Sequence, residues 1–372
     1  MASNPLAVAV NLLWCRPGLV GGSEDYLVRQ LLGLAEIESA VVPTLFVLPG
    51  FVDAHAELAT LFDVVVAPFS GANRARRVVA EHGWLARHTR ASKLVHHGGG
   101  TMPSGGRCPT VLTIHDLQYL AFPGYFSRVK RAYLEWAMPR SARRADVIAV
   151  PSQFVRGTVI EAYGGDPDRV VVVPHGVEPA LGRAATPAAE LRSRYQLGDG
   201  PVIVLPAITH PHKGHRFLLE VMAEHWTDPG LRLVLLGGRG QAEADVADAI
   251  RTLHLDGRVV RPGRVPAADR DGLLAMATAM VFPSEYEGFG APVIEAMALG
   301  APVICSDRAS LPEVAGDAAL VLPLEASAWA GALDAVTARR DELIAAGHRR
   351  VAAFTTTRSA EALIEAYGRA LP

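Results

Sequence analysis

The sequence predicts an α/β fold of two doubly wound domains, each built around a parallel sheet. Short apolar runs rich in valine, leucine and isoleucine alternate with longer segments of helical periodicity, and this alternation occurs twice along the chain. The runs are almost continuously apolar, which is typical of parallel strands that helices cover on both faces. The chain has 372 residues, 50% of them hydrophobic, and therefore has enough apolar material for two cores.

The first half begins with a strand, a glycine turn and a helix. The predicted strands of this half are residues 6–10, 41–48, 64–68, 94–96, 110–114, 147–150 and 170–173. Between the first two strands, apolar side chains recur on one helix face at Val28, Leu31, Leu32 and Ala35. Gly21 and Gly22 precede this helix, and Ser23 is placed to cap its start.

The second half restarts the pattern. Its predicted strands are residues 202–205, 231–236, 258–260, 280–282, 302–305 and 319–322, and its predicted helices are 215–225, 242–253, 269–277 and 293–298. A stretch rich in proline, glycine and alanine at 179–187 interrupts the periodicity between the halves. We therefore predict domains at residues 1–183 and 184–372. The last helix, residues 358–371, has no strand after it.

Charge and cysteine content exclude several classes of protein. With 36 basic and 38 acidic side chains, the net charge of -2 argues against charge-driven binding to nucleic acid. Cys15, Cys108 and Cys305 are too few and too far apart for a disulfide framework or a zinc site, which favours a reducing cytoplasm. The sequence shows neither a signal peptide nor an apolar run near the roughly 18 residues of a membrane span.

One segment of the first half combines basic and aromatic side chains. Residues 126–144 contain Arg128, Lys130, Arg131, Arg140, Arg143 and Arg144 together with Tyr133, Leu134 and Trp136. This composition is typical of the solvated face of a helix, and it also suits peripheral contact with a membrane.

The most informative motif is the segment 283–297, which follows a predicted strand. Gly288 and Gly290 form a turn, and Pro292 suits the first position of a helix. The backbone N–H groups at such a helix start favour a phosphate group. Glu287 in the turn and Glu295, expected in the first helical turn, could each accept hydrogen bonds from sugar hydroxyls. Alternatively, Glu295 complements the helix dipole and Glu287 is solvated.

A second loop, residues 209–215, contains one of the three lysines in a chain that otherwise uses arginine. Lys213 is a compact point charge suited to a diphosphate, although a lysine at a helix start can also be merely solvated. The three histidines of this loop, His210, His212 and His215, lack a carboxylate or cysteine to complete a metal site. We therefore expect no metal here and assign the imidazoles to phosphate contact or helix capping.

Two further features of the first half point to a ligand. Gly21 and Gly22 would let a phosphate approach the backbone. His115 and Asp116 follow the strand 110–114, where an imidazole could contact a sugar or simply bond to a backbone group. The run His96-His97-Gly98-Gly99-Gly100 is interpreted as either a sugar-facing turn or a flexible one.

These motifs resemble the retaining glycosyltransferases of family 4, which have the GT-B fold of two facing Rossmann-like domains. The resemblance is carried by Glu287-Gly288-Phe289-Gly290 with Glu295 in register, by the Gly-Ala-Pro-Val-Ile run at 300–304, and by residues 311–319. It covers the second half closely and the first half loosely. It also implies that the last helix packs back on the first domain.

The resemblance implies a role for each motif. Glu287 would contact the donor sugar, the backbone of Phe289 and Gly290 would approach the sugar and phosphates, and Glu295 would hold the ribose. Lys213 would bind the diphosphate, Gly21 and Gly22 would form the family's glycine loop, and His115 would lie near the transferred sugar. The family also has an arginine five residues before the lysine, where this chain has Ile208. Arg264 or a loop histidine is the predicted substitute.

The resulting hypothesis is a retaining hexosyltransferase without a metal or resident cofactor. The second domain would bind a GDP- or UDP-linked sugar, with mannose favoured, and N–H groups at residues 290–293 would stabilise the departing diphosphate. The first domain would bind a glycan, glycolipid or small-molecule acceptor, whose hydroxyl attacks on the face that the diphosphate leaves. The main alternative is a GT-B nucleotide-sugar epimerase. A nicotinamide oxidoreductase lacks support because no full glycine fingerprint is present, and an exported sugar-binding protein lacks support because the sequence shows no signal peptide.

Overall fold

A computed structural model describes residues 5–105 and 108–372, and residues 1–4, on which the signal-peptide argument partly rests, lie outside this part. The chain divides into two compact units. Unit 1 comprises residues 1–176 and 355–372, and unit 2 comprises residues 177–354. Within the described ranges, no helix combines the length and apolar character that a membrane crossing needs.

Unit 1 contains a parallel sheet. Its described strands are β1 (Leu6–Asn11), β2 (Val41–Val47), β3 (Asp63–Val66), β4 (Leu94–His97), β5 (Thr110–Thr113), β6 (Val147–Val150) and β7 (Val170–Val172), in the order β3-β2-β1-β4-β5-β6-β7. The helices before residue 176 are α1 (Gly22–Glu36), α2 (Pro49–Ala54), α3 (Ala56–Leu61), α4 (Arg74–Ala80), α5 (Ala86–His88), α6 (Gln118–Ala121), α7 (Arg128–Arg144) and α8 (Gln153–Tyr163). A π-helical turn spans Glu81–Leu85.

Unit 2 contains a second parallel sheet. Its described strands are β8 (Val202–Pro206), β9 (Arg232–Leu236), β10 (Val259–Gly263), β11 (Ala279–Phe282), β12 (Val303–Ser306) and β13 (Leu320–Leu322), in the order β10-β9-β8-β11-β12-β13. The helices are α9 (Ala188–Arg194), α10 (His215–Glu224), α11 (Glu243–Thr252), α12 (Ala267–Ala275), α13 (Ala291–Ala298), α14 (Leu311–Ala315), α15 (Ala326–Trp329), α16 (Ala332–Ala338) and α17 (Arg340–Val351).

The predicted α/β fold with parallel sheets is confirmed, and each predicted strand is present with small shifts at its ends. The central strands β8, β11 and β12 are buried along almost their whole length, which explains their unbroken apolar sequence. One detail differs at α1. Gly21 occupies the position before the helix and Ser23 makes no capping hydrogen bond, because the helix already begins at Gly22.

The boundary between the units lies at Gly176 and Val177 instead of between residues 183 and 184. The stretch that suggested the later boundary belongs to unit 2, where it is tied to α12. The Gly182 N–H donates to Asp271 Oδ2 at 3.1 Å, and the Thr186 N–H donates to the Ala268 carbonyl at 2.9 Å. A loop-like composition therefore marks an anchored segment here, not a linker.

The last helix, α18 (Thr356–Arg369), belongs to unit 1 and packs against α1. Gly33 of α1 is required at the closest approach, since a Cβ added there would lie 2.1 Å from the Thr356 carbonyl oxygen. Further along α18, the fully buried Tyr367 shares a hydrogen bond of 2.9 Å with His96 at its hydroxyl.

In both sheets the strand order reverses once, between β1 and β4 in unit 1 and between β8 and β11 in unit 2. Loops that leave the carboxyl ends of such strands run to opposite faces of the sheet, which opens a crevice where ligands bind. The two reversal points therefore locate the candidate site of each unit.

Candidate functional site

The loops after β8 and β11 meet at the reversal point of unit 2. A short 3₁₀ turn, Pro211–Lys213, follows β8, and the carbonyl of His212 in this turn accepts two hydrogen bonds from the other loop. These come from the Glu285 N–H at 2.7 Å and from the Ser284 hydroxyl at 3.0 Å. One main-chain and one side-chain hydrogen bond to the His212 carbonyl thus hold the two loops together.

Lys213 and Glu287, predicted from separate motifs, form an ion pair in this crevice. The Lys213 ammonium donates to Glu287 Oε1 at 2.5 Å, and the two side chains are 18% and 12% exposed. The ammonium also lies 5.4 Å from the ring centre of Phe282, the last residue of β11. Partial burial weakens solvent screening of this pair, so the crevice holds a strong, oriented charge pair.

The backbone around Glu287 is shaped by Gly290. Gly290 has a φ of 92° directly before α13, and a Cβ added there would lie 2.5 Å from Leu311 Cδ2. The Ser310 hydroxyl donates to the Glu287 carbonyl at 2.9 Å and fixes the turn from the other side. Glycine is therefore required both by the backbone angle and by the space available.

The start of α13 offers fewer N–H groups than expected. Val293 already donates its N–H to the Gly290 carbonyl at 2.9 Å, and Pro292 has no N–H. Within residues 290–293, the N–H groups of Gly290 and Ala291 thus remain for a ligand. The expectation that all four positions contribute is wrong, because the first helical hydrogen bond closes at Val293 and a proline occupies the second helical position.

Two other predicted residues of the motif are more buried than expected. Glu295 is the fifth residue of α13, not part of its first turn, and is only 9% exposed. Gly288 lies in the turn itself, and the side chain of Phe289 belongs to the core of unit 2, where its ring lies 5.5 Å from that of Phe354. The backbone of Phe289, and not its ring, is left to approach a ligand.

Two of the three loop histidines, His212 and His215, are buried and neutral. Burial lowers the pKa of His212 to about 3 and that of His215 to about 4, and the Lys213 charge acts in the same direction. His210 and His212 stack with ring centres 5.8 Å apart. Across residues 5–105 and 108–372, no group of three histidine, cysteine or acidic side chains could hold a metal ion.

Arg264 follows β10, two strands away from β8 in the sheet. Its guanidinium lies against the loop after β9, where a Cβ added at Gly238 would be 3.1 Å from Arg264 Nε. Ile208 stands in the loop after β8 and supplies no charge. The structure therefore places a cation on the same edge of the sheet as Lys213, but on a different loop.

Sequence reasoning missed the link between these loops. The Thr209 hydroxyl donates to Glu243 Oε2 at 2.9 Å and accepts from the Gly240 N–H at 2.6 Å, while Arg261 pairs with the same Glu243 carboxylate. A pocket of about 280 Å³ lies beside this network, lined among others by Ala207, Gly237, Glu243 and Gly263. Because 34 residues separate Thr209 from Glu243, no local sequence pattern predicts this contact.

In unit 1, the predicted glycines Gly21 and Gly22 lie at the start of α1, where the surface is open. Gly21 has a φ of 68°, and a Cβ added at Gly21 or Gly22 would meet no atom within 4 Å. The helix start therefore leaves open space for a ligand, and the phosphate-binding role of these glycines stays a prediction.

His115 is held by a backbone group. Its Nε2 donates to the Gly98 carbonyl at 2.8 Å, and its ring lies 5.8 Å from Trp14 and 5.3 Å from Tyr26. Burial lowers its pKa to about 4, so the ring is neutral at neutral pH. The other nitrogen, Nδ1, is the one that remains for a substrate. Asp116 instead accepts the Gln118 N–H at 2.9 Å, in the turn that leads into α6.

The glycine turn beside His115 is packed, not flexible. A Cβ added at Gly98 would lie 2.3 Å from Leu27 Cδ1, and one added at Gly99 would lie 2.6 Å from Trp14 Cγ. His96 shares hydrogen bonds with the Tyr367 hydroxyl and, at 2.8 Å, with Thr113 Oγ1. His96, Gly98 and Gly99 therefore pack within the interior of unit 1.

Replacing Gly214 with alanine should destabilise unit 2 by about 2–4 kcal/mol. Gly214 has a φ of 68° between the Lys213 turn and α10, and a Cβ there would lie 2.0 Å from the Pro283 carbonyl oxygen. Thermal or urea unfolding followed by circular dichroism measures the loss. Gly257→Ala is the matched control, since a Cβ at Gly257 meets nothing within 4 Å. Equal stability of the two variants would contradict the packing described for these loops.

Comparison with known proteins assigns both units to one group of enzymes. The model "Glycosyltransferase Family 4" matches residues 20–181, and "Glycosyl transferases group 1" matches residues 200–339. A D-inositol 3-phosphate glycosyltransferase of Actinosynnema mirum is 30% identical over 314 residues, 77% of this chain and 69% of that protein. The O-antigen chain mannosyltransferase B of Escherichia coli is 32% identical over 214 residues, 57% of this chain and 56% of that protein.

Solved structures share the fold of this chain. The crystal structure of Anabaena Alr3699/HepE in complex with UDP and glucose has a TM-score of 0.76 at 19% identity and covers 98% of this chain and 99% of that one. In four of the curated relatives, this chain spans from about half to less than two thirds of the relative's own length.

Proposed function

The chain belongs to the group 1 glycosyltransferases of family 4 and has their GT-B fold, and from this premise we propose that it transfers a hexose from a nucleoside-diphosphate sugar to an acceptor hydroxyl with retention of configuration. The observation that carries the proposal is the Lys213–Glu287 pair at the strand reversal of unit 2, beside the start of α13. A cation and a hydroxyl-accepting carboxylate at one crevice suit a ligand with a diphosphate and a sugar.

In this proposal each residue of unit 2 has one task. Lys213 binds a phosphate oxygen and stabilises the charge that develops on the diphosphate as it leaves. The N–H groups of Gly290 and Ala291 add donors at the positive end of the α13 dipole. Glu287 then accepts hydrogen bonds from hydroxyls of the transferred sugar, and Glu295 binds the ribose. Arg264 is proposed as the second cation that Ile208 does not supply.

The direction of attack follows from assigning Glu287 to substrate binding and not to nucleophilic attack. In the described loops after β8 and β11, Glu287 is paired with Lys213 and is assigned to binding, so we propose no covalent sugar intermediate. The acceptor hydroxyl would attack from the side on which the diphosphate departs, and the diphosphate would take its proton. His115 of unit 1 would contact the sugar through Nδ1, with no resident cofactor or metal involved.

The donor is proposed to be a GDP- or UDP-linked hexose, with mannose favoured. Two curated relatives are named as O-antigen chain mannosyltransferases, and the Anabaena structure contains UDP and glucose. Unit 1 would hold the acceptor, which is a glycan, a glycolipid or a small molecule.

A ligand panel tests the proposal. GDP, UDP, ADP and dTDP are added separately, and the unfolding temperature is measured for the wild type and for Lys213→Ala. One nucleotide at about 100 times its Kd should add about 2.7 kcal/mol of stability, and Lys213→Ala should lose most of that gain. Product analysis with donor alone and with donor plus acceptor then separates transfer from epimerisation. No stabilisation by any of the four nucleotides would refute the proposal.

We also propose that unit 1 docks on an anionic membrane surface through the α7 face, defined as Val129 and Trp136 of α7, Leu120 of the preceding helix α6, and the cations Lys130 and Arg140. Val129 is 83% exposed, Trp136 53% and Leu120 45%. Cations lie over aromatic rings here, with Lys130 at 4.7 Å from the Phe126 ring centre and Arg140 at 4.9 Å from that of Trp136. Exposed apolar side chains next to cations suit the membrane interface, where the apolar groups contact acyl chains and the cations contact anionic headgroups. The enzyme would then act in the cytoplasm, at the inner face of the membrane.

Replacing both Val129 and Trp136 with serine should weaken binding to anionic vesicles by roughly tenfold or more, because each partly exposed apolar side chain adds about 1 kcal/mol when the bilayer buries it. Sedimentation with phosphatidylglycerol vesicles measures the bound fraction. Leu61→Ser is the control, since Leu61 is 50% exposed on α3, outside the α7 face. Equal binding by the wild type and the double variant would exclude the α7 face as the docking surface.

A further inference from the structure

The strand reversal of unit 1 contains a polar cluster for which the proposed function has no use. Asn11 is the last residue of β1 and His97 the last of β4, and the two are register partners. Glu81 reaches the same point from the π-helical turn that follows α4. Such turns are rare and recur at functional sites. The three residues are far apart in sequence and nearly fully buried, with Glu81 9% exposed.

The hydrogen bonds of Asn11 orient the cluster. Its Oδ1 accepts the Leu13 N–H at 3.1 Å, which leaves its Nδ2 as the donor to Glu81 Oε1 at 3.4 Å and to His97 Nδ1 at 3.2 Å. Since His97 Nδ1 accepts, the proton of this neutral ring is assigned to Nε2. Burial keeps the ring neutral by lowering the pKa of His97 to about 4.

One acceptor atom of Glu81 and one donor atom of His97 therefore remain in this cluster. Within the described part of the chain, neither Glu81 Oε2 nor His97 Nε2 has a hydrogen-bond partner. Both residues line a cavity of about 1420 Å³ in unit 1. Burial raises the pKa of Glu81 to about 7, so the carboxylate form is present at and above neutral pH. A hydroxyl group both donates and accepts, so it is the group that this carboxylate and the imidazole N–H satisfy together.

The remaining wall of this cavity is cationic. Its described lining includes the arginines Arg90, Arg143, Arg144, Arg169 and Arg369, against the acidic Glu81 and Asp146. Arg169 donates to the carbonyl of Asp146 and Arg144 to that of Pro103, so these two serve the fold. Arg369 pairs with Glu365. The Arg143 carbonyl accepts a hydrogen bond from Arg169, but the guanidinium groups of Arg90 and Arg143 make no hydrogen bond or ion pair with another described residue. They are the cations left to meet an anionic ligand.

We propose that Glu81, Asn11 and His97 form a hydroxyl-binding site, and that the cavity it lines takes a polyhydroxylated molecule with a phosphate or carboxylate group. Glu81 and His97 would contact a hydroxyl directly, Asn11 would position both, and Arg90 and Arg143 would meet the anion. The identification of this molecule as the sugar acceptor rests on the proposed function, whereas the binding site itself does not.

Calorimetric titration of the full chain with glucose 6-phosphate, glucose and inorganic phosphate tests the site. Glucose 6-phosphate should bind more tightly than either of the other two. Glu81→Gln keeps the contact with Asn11 but turns an amide donor toward His97 Nε2, and it should weaken glucose 6-phosphate binding by tenfold or more. Arg143→Ala should weaken the two phosphate-containing probes, while Arg358→Ala, an exposed arginine of the same unit, should change neither.

Two results would overturn the inference. One is glucose 6-phosphate that fails to bind at about 10 mM, which corresponds to less than about 3 kcal/mol of binding free energy. The other is equal affinity for glucose 6-phosphate and inorganic phosphate that Glu81→Gln leaves unchanged, which would mean an anion site without hydroxyl recognition. Lys213→Ala should not affect these titrations and Glu81→Gln should not affect nucleotide binding, so this inference and the proposed function can fail separately.

Discussion

Replacing Lys213 with alanine should lower kcat/KM for sugar transfer by about 30- to 1,000-fold, equivalent to roughly 2–4 kcal/mol of transition-state stabilisation. The lysine is partly buried and paired with Glu287 at 2.5 Å. Its loss would remove the cation that we propose to meet the departing diphosphate, and it would leave the Glu287 carboxylate unpaired beside that negative charge. Both consequences disfavour the transition state.

Steady-state transfer assays with the wild type and Lys213→Ala measure the effect, and circular dichroism verifies the fold. Lys93→Ala is the control, because Lys93 is an exposed lysine of unit 1 whose ammonium donates to the Pro5 carbonyl at 3.0 Å. Lys213→Arg should recover only part of the activity, since a planar guanidinium does not reproduce a compact point charge. Unchanged turnover in Lys213→Ala would remove the lysine from the mechanism.

Replacing Glu287 with glutamine should lower kcat/KM by about 10- to 100-fold, the range expected when hydrogen bonds to a charged group are weakened. Binding of the nucleoside diphosphate alone should behave differently. With the carboxylate gone, Lys213 is no longer neutralised by an internal partner and is available to phosphate. The affinity for the diphosphate should therefore stay constant or increase while transfer slows.

This opposite response separates a substrate-binding carboxylate from one that only supports the loop. Titration with the bare nucleotide and transfer assays with the full donor give the two readouts. Glu285→Gln, two residues away in the same loop, should leave both unchanged, since Glu285 contacts the neighbouring loop through its backbone N–H. Parallel loss of nucleotide affinity and transfer in Glu287→Gln would contradict the proposed role.

Much of the site could be predicted from local sequence. Lys213 and Glu287 each lie in a short loop between a recognisable strand and helix, and the chemistry of each loop is visible within a few residues. The reversal of the strand order then brings the two loops together, as the rule for parallel sheets predicts. Smaller errors arose at helix starts. Glu295 falls outside the first turn of α13 because the helix begins at Ala291, and Val293 uses its own N–H.

Other features had no local signal. Thr209 and Glu243 tie two loops of unit 2 together, and Asn11 joins Glu81 and His97 in unit 1, yet each contact spans tens of residues. At the boundary between the units, the local sequence pattern was present but misleading. A stretch with the composition of a linker is fixed to α12 by hydrogen bonds that its own sequence does not reveal.

By itself, the sequence determined the α/β class, the places of the strands and the family, because apolar periodicity and turn chemistry act over a few neighbouring residues. Tertiary structure alone decided that Lys213 and Glu287 neutralise each other, that His115 is held by Gly98, and that an oriented carboxylate and imidazole line a cavity of unit 1. These properties depend on which distant groups packing brings within hydrogen-bond range and on how much water burial removes from them. Neither quantity is encoded in any short segment of the chain.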